Sequence, residues 1–266
     1  MASLDNETLK KRINELIASS KVKSFLLYDV EYTRQQELFL KFVTLFERYQ
    51  QDPLNLEILL SGLKNLITNF PDKSLHILRE IGIWALPPTY KIINYLQSLK
   101  LDNIIDYGAG CALWCSILRD TLTNTKMIAY DLYESNENKW TNKHVGFYPV
   151  QTKIDLNEFK NNTMIMFLYP PSNGIMASSA LQNFKGEYVL FYGNRKHTGD
   201  DDFFKELKEY WIIQKTFLPL AVLQDEHGKF NDKIMIFKRK IEIINNNTEN
   251  KKEETENKIV VVENKN

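Results

Sequence analysis

Two carboxylates and two glycines are the residues of this chain whose spacing could do chemistry. Asp106 closes an apolar run, Gly108 and Gly110 break the chain just after it, and Asp131 closes the next apolar run in "MIAYD". Glycines at such a break can take φ > 0 and, lacking a Cβ, let a ligand lie against the backbone, while the helix that follows offers unpaired N–H groups. Standing alone, the pair fits a plain strand-to-helix turn equally well. Asp131 adds context. It follows at roughly the 20-residue separation at which an acid meets a ribose hydroxyl in nucleotide-binding α/β sheets, so acid, turn and acid suit an adenosine. A nicotinamide dinucleotide fits less well, because Leu113 stands where the third glycine of G-x-G-x-x-G belongs and a carboxylate at 106 faces incoming phosphates unfavourably. No G-K-S/T follows the turn, which excludes a P-loop.

A second signal lies in "TMIMFLYPPSN", where a strongly apolar strand ends on Tyr169, Pro170 and Pro171. Two prolines stop ladder pairing and fix the chain where it leaves the sheet. They mark either a strand terminator alone or the wall of a pocket. In an open α/β sheet the fourth strand neighbours the first across the switch point, which sets Tyr169 at the border of the ligand crevice. Downstream, Thr198 and Asp201 have capping-box-like spacing, and three aspartates open a helix where its macrodipole favours them. Arg195, Lys196 and His197 form a short basic run suited either to a phosphate or to solvent. Trp84 and Trp114 could flank a cofactor pocket or fill the core, and the histidines, His144 and His227 among them, have no metal-binding spacing. No metal is expected.

The elements that must position these residues can be read from periodicity. Residues 5–80 are helical in pattern: Phe39, Phe42, Val43, Phe46 and Tyr49 share a face behind a capping box at Thr33 and Gln36, and Leu56, Leu59, Leu60, Leu63, Ile67 and Phe70 form a second stripe ending before Pro71. From residue 81 to 240 strands alternate with helices: "NIID", "KMIAYD", "HVGFYPV", "TMIMFLY", "GEYVLFYG" and "KIMIFKR" as strands, "CALWCSILRDTL", "GIMASSALQNF" and "DDDFFKELKEYW" as helices. That grammar predicts a Rossmann-like α/β fold, an open and mostly parallel sheet flanked by helices, with a helical N-terminal extension. Residues 241–266 are Asn, Lys and Glu in low-complexity order and read as a disordered tail.

Residues 106 to 131 resemble the class I S-adenosylmethionine-dependent methyltransferases: Asp106, Gly108 and Gly110, with Ala112 in place of a third glycine, match their first motif, and Asp131 matches the acid of their second strand. The resemblance implies that the Gly108–Ala109–Gly110 turn underlies the methionine part of S-adenosyl-L-methionine, that Asp106 helps bind its amino end and that Asp131 holds the ribose. It also implies that Tyr169, Pro170 and Pro171 shape the acceptor pocket. Amino methyltransferases acting on nucleobases or glutamine carry [DNS]-P-P-[YFW] there; this chain departs at both ends, with Tyr169 and Ser172. Over most of residues 80–240 it is similar to a poorly characterised methyltransferase-like group with W-x-x-P, G-A-G-x-x-x-W, W-P-P and T-G-D-x-x-F-F motifs and a late aspartate before the last strand. Here those positions read "WALP", "GAGCALW", "YPP", "TGDDDFF" and "HGKFNDKIMIFKR".

Composition narrows the partners. Lys plus Arg and Asp plus Glu both number 34, so no net field attracts nucleic acid, and a nucleic-acid role needs a local basic patch. No apolar run has the length of a membrane span or signal peptide, and Cys111 and Cys115, four apart on the expected helix, fit buried thiols of an intracellular protein. The expectation is a methyltransferase with an unidentified methyl acceptor, or alternatively a catalytically inactive binding or regulatory protein of the same fold.

Overall fold

The computed structural model describes residues 29–134, 137–138, 146–225 and 227–240, with backbone alone for 29–36. The readings for residues 5–28, the tail from Ile241 and His144 lie outside the described residues. Helix α1 (Asp29–Gln51) is followed by α2 (Leu56–Asn69), α3 (Pro71–Glu80) and α4 (Tyr90–Ser98). The α/β part then runs β1 (Asn103–Tyr107), α5 (Leu113–Thr121), β2 (Lys126–Tyr130), β3 (Val150–Gln151), β4 (Thr163–Leu168), α6 (Met176–Asn183), β5 (Tyr188–Gly193) and α7 (Asp201–Tyr210). Strand β6 (Trp211–Phe217), a small hairpin of β7 (Gln224–Asp225) and β8 (Gly228–Lys229), and β9 (Lys233–Arg239) complete it.

The described strands form a seven-stranded sheet in the order β3-β2-β1-β4-β5-β9-β6. Strands β1 to β5 are parallel, and β9 runs antiparallel between β5 and β6. The chain steps outward from β1 to β3 and then returns to β4 on the other side of β1, so the order reverses at the β1/β4 seam. The crevice beyond the carboxyl ends of strands at such a seam is where an open α/β sheet binds ligands.

Alternation along the strands builds two cores. Ile104, Met164, Met166, Leu190 and Tyr192 point to one face and join a cluster with α4, α5 and the helices α1 to α3; Phe42, Leu63 and Leu78 are buried in that same cluster. Ile105, Ile165, Phe167, Val189 and Phe191 point the other way and pack beneath α6 and α7 through Ala177, Leu181, Phe203 and Leu207. Strands β4 and β5 are buried on both faces, which is why they read as unbroken apolar runs.

Several expectations need correction. Thr33 and Gln36 lie inside α1, four or more residues past its start, so they form no capping box. Cys111 precedes α5, which begins at Leu113; both cysteines are nonetheless free and buried. The strand expected across "HVGFYPV" is reduced among the described residues to the pair Val150–Gln151. Trp211, expected to end a helix, instead opens β6, a strand the periodicity did not indicate because its residues 212–216 are exposed and follow no alternation. Asp200, not Thr198, caps α7: its Oδ1 accepts the Phe203 N–H at 3.0 Å and its Oδ2 the Ser178 N–H at 3.3 Å, while the Thr198 hydroxyl donates to the Asn194 carbonyl. No helix among the described residues is long and apolar enough to cross a membrane.

Candidate functional site

Strand β1 delivers Asp106 to its carboxyl end, and the next five residues make the turn into α5. Gly108 (φ +81°), Gly110 (φ +54°) and Ala112 (φ +54°) all take left-handed conformations, a geometry that glycine allows without steric cost and alanine accepts at a cost of about 1–2 kcal/mol. The Gly108 and Ala109 N–H groups donate to the Tyr130 carbonyl at 2.8 and 2.9 Å, tying the turn across the end of β2. Asp131 completes the tie: its Oδ2 accepts the Gly110 N–H at 2.9 Å and its Oδ1 the Leu132 N–H at 2.7 Å. Helix α5 has no side-chain cap at its N-terminus, which opens beside the half-exposed turn. The structure therefore brings together Asp106, Gly108, Ala109, Gly110 and Asp131 within one loop cluster.

Asp106 is the anomaly of this cluster. Only 1% of its surface is exposed, on the face shared with α5; among the described residues its Oδ1 has no hydrogen-bond partner and Oδ2 has only the Cys115 thiol at 3.9 Å. Burial, reinforced by the nearby Asp131 charge and slightly offset by Cys115, raises its carboxyl from 3.8 to about 7. A buried acid with an orphaned oxygen calls for an explanation, and a hydrogen-bond donor brought by a ligand supplies one. Met176, at the start of α6, covers the other side of the turn: a Cβ added at Gly108 would meet its Cε at 3.1 Å.

Across the seam, β4 ends at Leu168 and Tyr169 adopts φ +60°, a left-handed backbone unusual for an aromatic residue. Strain of this kind clusters at ligand sites. The turn is held in place by the Tyr169 N–H on the Tyr192 carbonyl (2.8 Å), the Gly199 N–H on the Pro170 carbonyl (2.9 Å) and a bridge between Pro171 and Thr198. Among the described residues no well-aligned hydrogen bond reaches the buried Tyr169 Oη, although Arg79 lies close enough to act on it; burial, reinforced by Asp232 and opposed by Arg79, raises the phenol. The orphaned Asp106 Oδ1 and the Tyr169 hydroxyl beside Arg79 thus stand at the ends of the two strands that flank the switch point.

Aromatic rings surround Tyr169. Trp84 lies 6.4 Å away at 40°, Tyr192 lies 6.5 Å away at 71°, and the Arg79 guanidinium stacks over Trp84 at 4.9 Å. Trp114 is core rather than pocket, fully buried with its Nε1 donating to the Leu86 carbonyl at 2.9 Å; Trp84 is half-buried and packs against Tyr169. The basic run does not converge: Arg195 reaches the exposed Asp201 at 3.9 Å, Lys196 is exposed, and His197 turns to Phe230 at 5.4 Å. A concavity of about 730 Å³ opens elsewhere, along the β2–β3 edge between Lys126, Tyr148, Lys153 and Glu158. Neither the glycine turn nor Tyr169 lines it, so the site is placed by the switch point and the orphaned Asp106 oxygen.

Sequence reasoning missed Arg79, Asn194 and Met176, and met Asp232 only as the late aspartate of a motif. Asp232 precedes β9, the one pointer that could have singled it out; Arg79 sits in the last turn of α3, where a basic residue ordinarily serves the helix dipole.

No family model matches the chain, and no curated protein matches it. Solved structures similar to it include the methyltransferase domain of a bacterial Hen1 (10% identity, 56% of this chain and 94% of that one, TM-score 0.36). A precorrin-6y C5,15-methyltransferase from Geobacter metallireducens is similar at 12% identity, over 57% and 90% of the two chains, with a TM-score of 0.32. A 1,6-didemethyltoxoflavin N1-methyltransferase from Burkholderia thailandensis, solved with S-adenosylhomocysteine, is similar at 7% identity, over 55% and 77%, with a TM-score of 0.33. These likenesses, all far below 25% identity, concern the fold alone.

Proposed function

We propose that this protein is an S-adenosyl-L-methionine-dependent methyltransferase. The observation that carries the reading is Asp106: a buried carboxylate with an orphaned oxygen, at the end of β1 and beside a turn of three left-handed residues laced to a second acid. These residues fit the amino end of the cofactor at Asp106, the turn backbone of Gly108, Ala109 and Gly110 under its methionine part, and the ribose at Asp131, whose oxygens keep acceptor capacity beyond their two backbone bonds. Bound there, the cofactor would supply a methyl group activated on a sulfonium. What remains for the protein is to hold an acceptor in line and keep water away, work that positioning does without an acid-base triad. Pro170 and Pro171, pinned to the 198–199 segment, fix the wall on which Tyr169 stands. The acceptor is unidentified.

A second reading, a non-catalytic binding protein of this fold, draws on one observation: Asp131 and Met176 close over the turn from both sides. Calorimetric titration with S-adenosylmethionine and S-adenosylhomocysteine decides between them. Saturable binding, weakened at least about tenfold by Asp131→Ala, supports the enzyme. Absence of binding at millimolar ligand eliminates it in favour of the second reading.

A further inference from the structure

Asp232 is the foremost charged group acting on Tyr169. Lys233 pairs with Gly193, so Asp232 stands at the carboxyl end of β5, the same end of the sheet as the glycine turn. It is 7% exposed, and its Oδ1 accepts the Asn194 side-chain N–H at 2.5 Å. Asn194 is itself immobilised: its carbonyl accepts from His197, from the Thr198 N–H and from the Thr198 hydroxyl, and its Oδ1 accepts the Lys196 N–H at 3.2 Å. The Asp232 carboxyl is therefore held in one orientation, and its Oδ2 has no hydrogen-bond partner among the described residues.

The charges around it set what this oxygen can take. Burial raises the Asp232 carboxyl, outweighing the Asn194 hydrogen bond and the His197 and Arg79 charges that favour its ionised form. Asp225, the other acid acting on Tyr169, already accepts the His227 N–H at 2.9 Å. The Arg79 guanidinium lies over the Trp84 ring at 4.9 Å and over the Phe230 ring at 6.0 Å, within cation–π range of both. A desolvated carboxylate with one open oxygen is satisfied by an N–H donor, and the Tyr169 ring on which Asp232 acts, with Trp84 6.4 Å from it, suits a planar group.

We propose that the crevice receives its acceptor through a planar N–H-bearing group, an amidine, a guanidine or an amine on an aromatic ring, with Asp232 Oδ2 as its recognition atom and Trp84 and Tyr169 as its stacking wall. The assignment of this crevice as the acceptor side rests on the methyltransferase reading; the recognition chemistry rests on Asp232, Asn194 and the rings.

Two probes of equal shape and opposite charge test it. Benzamidine and benzoate are titrated into the full chain, followed by indole fluorescence and by amide NMR shifts, with S-adenosylhomocysteine titrated separately. The expected result is saturable benzamidine binding, at least about tenfold tighter than benzoate, lost about tenfold or more in Asp232→Asn, with shifts centred on the Asn194 side-chain amide and the Trp84 indole. Benzoate binding as tightly as benzamidine makes Arg79 the recognition group and overturns the proposal. So does an unchanged affinity in a folded Asp232→Asn, or no benzamidine binding at about 10 mM. Should Asp232→Asn not fold, the NMR map of the wild-type chain decides alone: shifts away from Asn194 and Trp84 refute it. Benzamidine binding without S-adenosylhomocysteine binding keeps the N–H site and removes the methyltransferase reading; the converse removes only the site.

Discussion

Replacing Asp106 by asparagine should make the protein more stable, and increasingly so as pH rises. The side chain keeps its shape and its contact with Cys115 and loses only the charge. With the folded-state carboxyl raised from 3.8 to about 7 by burial and by Asp131, the folded protein holds a proton that the unfolded chain has already released. Such a group supports folding fully below the unfolded value, and its contribution is lost as pH climbs through the folded one. At about 1.4 kcal/mol per unit, the ionised form above pH 7 costs about 4 kcal/mol, of which roughly 2–3 kcal/mol develops between pH 5 and 8. For a chain of this size that corresponds to a divergence in Tm on the order of 5–10 °C across the window. Thermal melts of wild type and Asp106→Asn, run at pH 5, 6, 7 and 8, measure it as a difference, which cancels the other titrating groups. A constant Tm difference over that range would refute the reasoning, since it would mean that the carboxyl ionises at an ordinary pH. A variant that loses stability relative to wild type as pH rises would be worse still: it would show a satisfied carboxylate in place of an orphaned one.

Three further substitutions probe the same region. Gly108→Ala places a Cβ at φ +81° and against Met176, and should cost about 1–2 kcal/mol in urea unfolding, a cost that Met176→Ala should partly relieve. Asp200→Ala removes the cap of α7 together with the acceptor for the Ser178 N–H, and should cost about 1–2 kcal/mol in the same assay without changing nucleoside binding. Tyr169→Gly releases the left-handed strain at 169 but deletes the wall against Trp84; the expected result is loss of benzamidine binding with S-adenosylhomocysteine affinity kept within about threefold, read by calorimetry.

What the sequence disclosed depended on whether the determinant was local. Strands β1, β4 and β5 are apolar because helices cover both faces, and the glycine turn is dictated by its own backbone angles, so both could be read directly. Strand β6 could not: with Ile212 and Ile213 each about half exposed and Gln214 to Thr216 also exposed, no pattern of burial marks it. Its pairing with β9, which arrives later in the chain, makes it a strand. Caps failed for a related reason. Thr198 has the right spacing, but the Asn194 carbonyl claims its hydroxyl, and a helix begun at Asp29 runs straight through Thr33. Arg79, Asn194 and Asp232 come from three separate parts of the chain, and only tertiary packing assembles them around Tyr169.

The insertion of β9 between β5 and β6 also orders events during synthesis. When β6 leaves the ribosome its only sheet neighbour has not yet been made, because β9 follows it in sequence and is the strand that joins it to β5. The parallel half of the sheet, from β3 to β5, can pair as it emerges, whereas β6 must wait with its backbone edge groups unpaired. A stall or truncation between Phe217 and Lys233 therefore leaves the apolar edge of β5 and the edge of β6 without their partner β9, the species most prone to wrong association. Since Asp232 immediately precedes β9, the step that closes the sheet is also the one that carries this carboxylate to Asn194, so the crevice beside Tyr169 is completed only when the last strand is in place.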